Sequence, residues 1–196
     1  MPLVEGLSGK VESEITETKA DGSSVKTENT IKADKKGNLT VTSKVTEKDA
    51  DGNTTKSTTT ATVKVKKSGA LTLSKIDAKG EVAVIPDSVV SNGKTVPVTT
   101  IGKGAMQGNE KITDVKLGDN ITKISKNAFK GDKNLEHIEL TDSIKSIAKN
   151  AFKGIAKNAA FTIKAASEKE FNRIVDLIKK SGVGKNVTFV FENTSK

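Results

Sequence analysis

Ile124-Ser125-Lys126-Asn127-Ala128-Phe129-Lys130-Gly131 decides the fold, because its apolar and glycine positions recur at a fixed step on either side. Ile101, Ile124 and Ile147 are spaced by 23 residues. The same step relates Ala105, Ala128 and Ala151, then Met106, Phe129 and Phe152, and then Gly108, Gly131 and Gly154. Val98, Ile121 and Ile144 keep it, as do Val115, Ile138 and Phe161, and Leu117, Leu140 and Ile163. Seven columns hold register without an insertion.

A period in the low twenties marks a leucine-rich-repeat coil. One such coil cannot bury its own apolar face, so neighbours stack and each column becomes a ladder along a solenoid. Within a coil, Ile138-Glu139-Leu140 alternates as a short strand does. Ile144 and Ile147 open a second inward-facing segment. Lys149-Asn150-Ala151-Phe152-Lys153-Gly154 reads as a tight turn that drives Phe152 into the core, with Gly154 letting the chain reverse.

These residues also carry a resemblance. Ile124 to Gly131, followed by Asn134-Leu135-Glu136-His137-Ile138-Glu139-Leu140, resembles the BspA-like leucine-rich repeat of bacterial cell-surface proteins. Val84-Ile85-Pro86-Asp87-Ser88-Val89, then Val96-Pro97-Val98-Thr99-Thr100-Ile101-Gly102, is similar to the opening coil of such arrays. The resemblance spans about residues 82–191. Departures are Met106 where the family prefers Phe, Asn158 in the column of Ile112 and Leu135, and the missing Pro at Gly118 and Thr141.

The end of the array reads as a helix-plus-strand cap over about 165–196. Ser167-Glu168-Lys169-Glu170 has the form of a capping box. Phe171, Ile174, Val175 and Ile178 share one face of the helix it opens. Gly182 suits a left-handed helix end, and Val187-Thr188-Phe189-Val190-Phe191 follows as a strand.

Residues 1–77 are a different object. Thr16-Glu17 with Ala20-Asp21-Gly22 repeats as Thr46-Glu47 with Ala50-Asp51-Gly52 at a spacing of 30. Lys36-Gly37-Asn38-Leu39 repeats as Lys67-Ser68-Gly69-Ala70-Leu71. Leu39-Thr40-Val41-Thr42 and Ala61-Thr62-Val63-Lys64-Val65 alternate between these hairpin signals. We expect an antiparallel meander of about five strands ending near Ile76, with Asp77-Ala78-Lys79-Gly80 as the boundary. It either caps the first coil or extends as a stalk. The expected fold is thus mostly β with one short C-terminal helix: a Thr/Lys-rich meander over 1–77, then a solenoid of 23-residue coils over 78–196.

Composition fits thin, repetitive architecture. All six Phe lie at or after Phe129, and Trp and Tyr are absent, so any earlier core rests on Val, Ile, Leu and Thr. The net charge of +9 comes from 33 basic and 24 acidic residues, and Arg173 is the only Arg. Residues 1–80 carry 14 basic against 11 acidic, and the remainder 19 against 13. Lys is a hydrated point charge where Arg gives bidentate phosphate contacts, so a specific nucleic-acid site is not expected. The absence of Cys excludes disulfides, thiol nucleophiles and Cys-based metal sites. No stretch has the apolar length of a membrane span, and Met1-Pro2-Leu3-Val4 is no signal peptide. The chain is cytosolic, or a mature segment with its targeting sequence removed; the resemblance favours the second, secreted or at the cell surface.

Candidates for chemistry meet stronger structural readings. His137, the only histidine, sits where an outward polar residue belongs on a repeat strand. Asp49-Ala50-Asp51-Gly52-Asn53 has its Gly too early for a calcium loop and no closing Glu. Glu12, Glu14 and Glu17 lack the cleft that would separate paired carboxylate pKa values. Lys64, Lys66 and Lys67 lack interleaved aromatics and suit edge-strand protection. We therefore expect no catalytic, cofactor or metal site and no enzyme. The resemblance implies a surface module for adhesion or for protein or glycan interaction, with a host or cell-envelope partner. The alternative is a structural spacer or cap in a larger surface protein. The expected ligand face is the concave one, where Asp114, Lys116, His137, Glu139, Ala160 and Thr162 alternate with the buried ladder.

Overall fold

The computed structural model describes residues 10–18, 20–33, 39–65, 68–91 and 94–195. Five antiparallel strands come first: β1 (Lys10–Thr18), β2 (Ser24–Ala33), β3 (Leu39–Lys48), β4 (Thr54–Val65) and β5 (Leu71–Lys79). Two of their turns use the Asp-Gly pairs read from sequence. Gly22 and Gly52 sit at φ +83° and +89°, where a side chain is strained. The Gly37-Asn38 turn lies outside the described residues. Alternation gives the meander one inner face. Ile31, Val41, Ala61 and Ile76 stand in one cross-strand row, all buried. The adjacent row is polar yet buried: Asn29, Ser43 and Thr59 lead to Ala78, with the Ser43 hydroxyl donating to Asn29 Oδ1 at 2.6 Å.

Two parallel sheets then form as the chain coils. β6 (Val82–Ile85), β9 (Asp114–Leu117), β11 (His137–Thr141), β13 (Ala160–Ala165) and β14 (Thr188–Asn193) make a five-stranded sheet in the order β14-β13-β11-β9-β6. On the other side, β8 (Lys94–Ile101), β10 (Lys123–Ile124) and β12 (Ser146–Ile147) stack in parallel. From β9 to β13 each coil takes 23 residues, as the register pairs Asp114, His137 and Ala160 show. The first coil is longer, because β7 (Ser88–Ser91) and β8 form an antiparallel hairpin within it. That hairpin was not legible in the spacing, which begins only at Val98.

The meander is joined to the array as its cap. β5 pairs in parallel with β8, so strands β1 to β5 extend the sheet of β8, β10 and β12. Gly102 N–H donates to the Leu73 carbonyl at 2.7 Å, and Ile76 N–H to that of Ala105 at 2.7 Å. One apolar core runs from Ile31 and Val41 through Ile101 and Ile124 to Ile178.

Between the two sheets lie the predicted ladders. Phe129 and Phe152 stack with centroids 5.1 Å apart, Phe152 meets Phe161 edge-on at 5.2 Å, and Phe161 lies 5.8 Å from Phe189. Each buried large side chain contributes roughly 1.5–3 kcal/mol. Asn158 is exposed, and its buried neighbours are Ile155 and Ala159. The helix α1 (Glu168–Lys180) closes the end with Ile174, Val175 and Ile178 buried, while Phe171 packs 5.1 Å from Phe191. Ser167 caps it by accepting the Glu170 N–H at 3.3 Å. The reciprocal half of the capping box is not made, because Glu170 binds Arg173 Nε at 2.6 Å instead. The Arg173 fork then donates to the carbonyls of Asp142 and Ile144, both at 2.7 Å, fastening the helix to the third coil.

Candidate binding surface

Strand alternation turns Val115, Leu117, Ile138 and Leu140 inward and their neighbours outward. Register then gathers the outward residues into rows across the five-stranded sheet. One row runs Val82, Asp114, His137, Ala160 and Thr188, and the next Val84, Lys116, Glu139, Thr162 and Val190. All six residues named from sequence lie in these rows. His137 is exposed and the other five are half-buried. Val190 is the large apolar exception, 50% exposed.

Two of the six form ion pairs, and Asp114 Oδ2 accepts the Thr113 hydroxyl at 2.5 Å. Lys116 Nζ meets Glu47 Oε1 of β3 at 2.5 Å, and Glu139 Oε1 meets Lys164 Nζ at 2.6 Å. Burial alone lowers the Lys164 pKa. The hydrogen bond to Glu139, with the charges of Glu139, Glu192 and Asp119, outweighs it and holds the ammonium above the ordinary lysine value. Asp119 moves up, first by burial and then by the charge of Asp87. The Asp87 carboxylate accepts the Asp119 backbone N–H, which holds the two residues close together.

The meander completes this surface. Its far half passes the β6 edge and faces the outward side of the sheet, enclosing a cleft of about 290 Å³. Val25, Asn29, Ser43 and Val45 line it from the meander; Val84, Lys116, Asp119 and Glu139 line it from the array. Sequence reasoning missed the meander wall and Glu47. The distance from Glu47 to Lys116 along the chain is set by tertiary docking, and no motif spans it.

The remaining candidates lie apart. Glu14 pairs with Lys26 at 3.1 Å on the meander, while the side chains of Glu12 and Glu17, and residues Lys66 and Lys67, lie outside the described set. Met1-Pro2-Leu3-Val4 lies outside it too. The Asp49 carboxylate accepts the Asn53 backbone N–H at 2.8 Å and its Nδ2 at 2.9 Å, closing a hairpin turn. Among the described residues, no group of three His, Asp or Glu side chains is placed to hold a metal, and no helix is long and apolar enough to cross a membrane.

Comparison with known proteins agrees with this architecture. Among solved structures, a leucine-rich repeat protein from Bacteroides capillosus matches at 24% identity and a TM-score of 0.51, over 67% of this chain and 94% of that one. A leucine-rich repeat protein from Bacteroides ovatus matches at 23% identity and a TM-score of 0.43, and a leucine rich cell surface protein from Faecalibacterium prausnitzii at 16% and 0.44. Each match covers 67% of this chain, but only 36% and 41% of those two. No curated protein sequence matches. Residues 95–192 match the BspA type leucine rich repeat region in six copies, half of the chain in the segment where the 23-residue columns run. The chain belongs to the BspA type leucine-rich repeat family.

Proposed function

We propose that this protein is a non-enzymatic interaction module, secreted or held at the bacterial cell surface, that binds a host or cell-envelope protein or glycan through the outward face of its five-stranded sheet. The observation that carries this reading is the cleft of about 290 Å³ on that face, walled on one side by the meander. A sheet face shaped into a concavity by a second element is where a ligand gains contact without refolding the protein. Surface placement is supported by the resemblance of the repeats to those of bacterial surface proteins.

The face lacks Tyr, Trp and Arg, the residue types that most often anchor tight interfaces. Its binding is therefore weak per site, and gains strength when several modules engage together. The alternative, a spacer without a ligand of its own, draws support from the ion pairs that already occupy Lys116 and Glu139. Capture from panels of matrix proteins and glycans separates the two, since a spacer retains nothing. Any captured ligand is then tested against the double substitution Lys116→Ala with Glu139→Ala. We expect affinity to fall by about tenfold or more, about 1.4 kcal/mol. Undiminished binding by a folded variant moves the site off this face.

A further inference from the structure

The outer turns of the array carry a charge pattern that the sheet face does not. Lys103, Lys126 and Lys149 stand one coil apart, all exposed. Lys130 and Lys153 form a second column on the other side of the buried Ala-Phe pair of each turn. Backbone hydrogen bonds stack these turns directly. Gly104 N–H donates to Lys126 O at 3.1 Å, Gly108 N–H to Lys130 O at 3.0 Å, and Gly131 N–H to Lys153 O at 2.9 Å. Adjacent parallel strands lie about 4.8 Å apart, so the stacked backbones that carry each column of lysines lie at roughly that pitch.

Residues 102–108, 125–131 and 148–154 contain these five lysines and no Asp or Glu. Among the described residues none of the five makes an ion pair, whereas Lys116 and Lys164 on the sheet each hold a carboxylate. Like charges directly opposite one another in a ladder are destabilising, so nothing in the packing calls for the pattern. The helical cap ends beside these columns: Gly182, just past the end of α1, packs against Lys153 and Asn150.

We infer that the stacked turns form a second binding surface, which takes a linear polyanion bearing sulfate or phosphate groups laid along the solenoid axis across Lys103, Lys126 and Lys149. The recognition is by charge spacing. The three stacked turns hold no Arg for bidentate reading and expose no aromatic ring for base stacking, so the surface suits a flexible anionic polymer. This surface is separate from the sheet face, and its failure leaves the reading of that face intact.

The test is titration of the full chain with a sulfated dextran oligosaccharide and, in a second arm, with linear polyphosphate, at several salt concentrations. The triple substitution Lys103→Gln, Lys126→Gln, Lys149→Gln is compared with Lys56→Gln, Lys75→Gln, Lys79→Gln, which removes the same charge from exposed positions on the meander. We expect at least one polymer to bind, the tighter one naming the source of the anion. The turn variant should weaken it by about tenfold and flatten the log K against log salt slope by about two, while the meander variant changes affinity less than about twofold. Thermal unfolding verifies that both variants fold. Equal weakening by the two variants would reduce the effect to net charge and overturn the inference, as would a wild-type chain that binds neither polymer.

Discussion

Asn127 and Asn150 hold left-handed backbone at φ 59° and 63°, one coil apart, in the column that begins with Gly104 at φ 61°. For most L-residues that conformation costs about 1–2 kcal/mol, and Asn tolerates it better than others. Asn127→Val should therefore lose about 1–2 kcal/mol in chemical denaturation, whereas Asn127→Gly should hold or gain, since it also removes a buried Oδ1 that lacks a partner. A Val variant as stable as wild type would contradict the turn geometry. Asp132 is the other residue under tension. It is buried, Oδ1 accepts the Asn109 N–H at 2.9 Å, and Oδ2 has no partner. Burial pushes its pKa from 3.8 to about 7, partly offset by the Asn109 and Gly108 N–H groups. Between those values the folded state holds the proton more tightly than the unfolded chain. The resulting stability is complete below the unfolded value and is lost as pH rises through the folded one. Asp132→Asn stays neutral throughout. Its unfolding free energy, relative to wild type, should rise between pH 4 and pH 7.5, by on the order of 1–3 kcal/mol. A constant difference across that range would show that the carboxyl is not held neutral. Neither feature was legible in the sequence. Gly and Asn look unrelated in a column until their shared tolerance of positive φ is considered, and Asp132 stands in register with Asn109 and Ile155, where no single polarity rules.

At the scale of elements, the 23-residue columns foretold the coils because each one is read locally and repeated. Phe129 lies stacked on Phe152 at 5.1 Å, fully buried. Phe129→Ala should cost about 3–5 kcal/mol, the transfer of the ring plus the void it leaves. A loss under about 1 kcal/mol in denaturant titration would place the ring outside the core, since burying one such side chain is worth more than that. The helical cap was legible for the same reason, with Ser167, the apolar stripe and Gly182 all local signals. What local signals missed were contacts made at a distance. Arg173 reaches back to the carbonyls of Asp142 and Ile144, which no spacing rule connects. The β7–β8 hairpin interrupts the first coil, where the array has no preceding repeat to reveal an insertion. The six outward residues were found by alternation alone, but the pairs that hold Lys116 and Glu139 were not.

For the whole molecule, what matters is how the two halves meet. Their sequences differ sharply in character, one rich in Thr and Lys and free of aromatics, the other columnar. Yet the sheet passes through the boundary without a break, from β5 to β8. Packing there is close. A Cβ on Gly102 would lie 2.6 Å from the Leu73 carbonyl oxygen, a contact that only glycine permits. The join was not legible because β5 and β8 share no repeat, and a parallel pairing between them is set by the excursion of the chain through β6 and β7. We propose that the meander over 1–77 and the array over 78–196 unfold as one cooperative unit, with the boundary marking a change of sequence rather than of folding. The proposed function depends on this, since Glu47 and the meander wall of the cleft stand in place only while the meander is docked. Native-state hydrogen exchange tests it most directly. The amides of Val41, Ile76 and Gly102 should open with the same free energy as those of Phe129 and Ile138, to within about 1 kcal/mol of the global value. Meander amides that open several kcal/mol more readily, while the array stays closed, would contradict it.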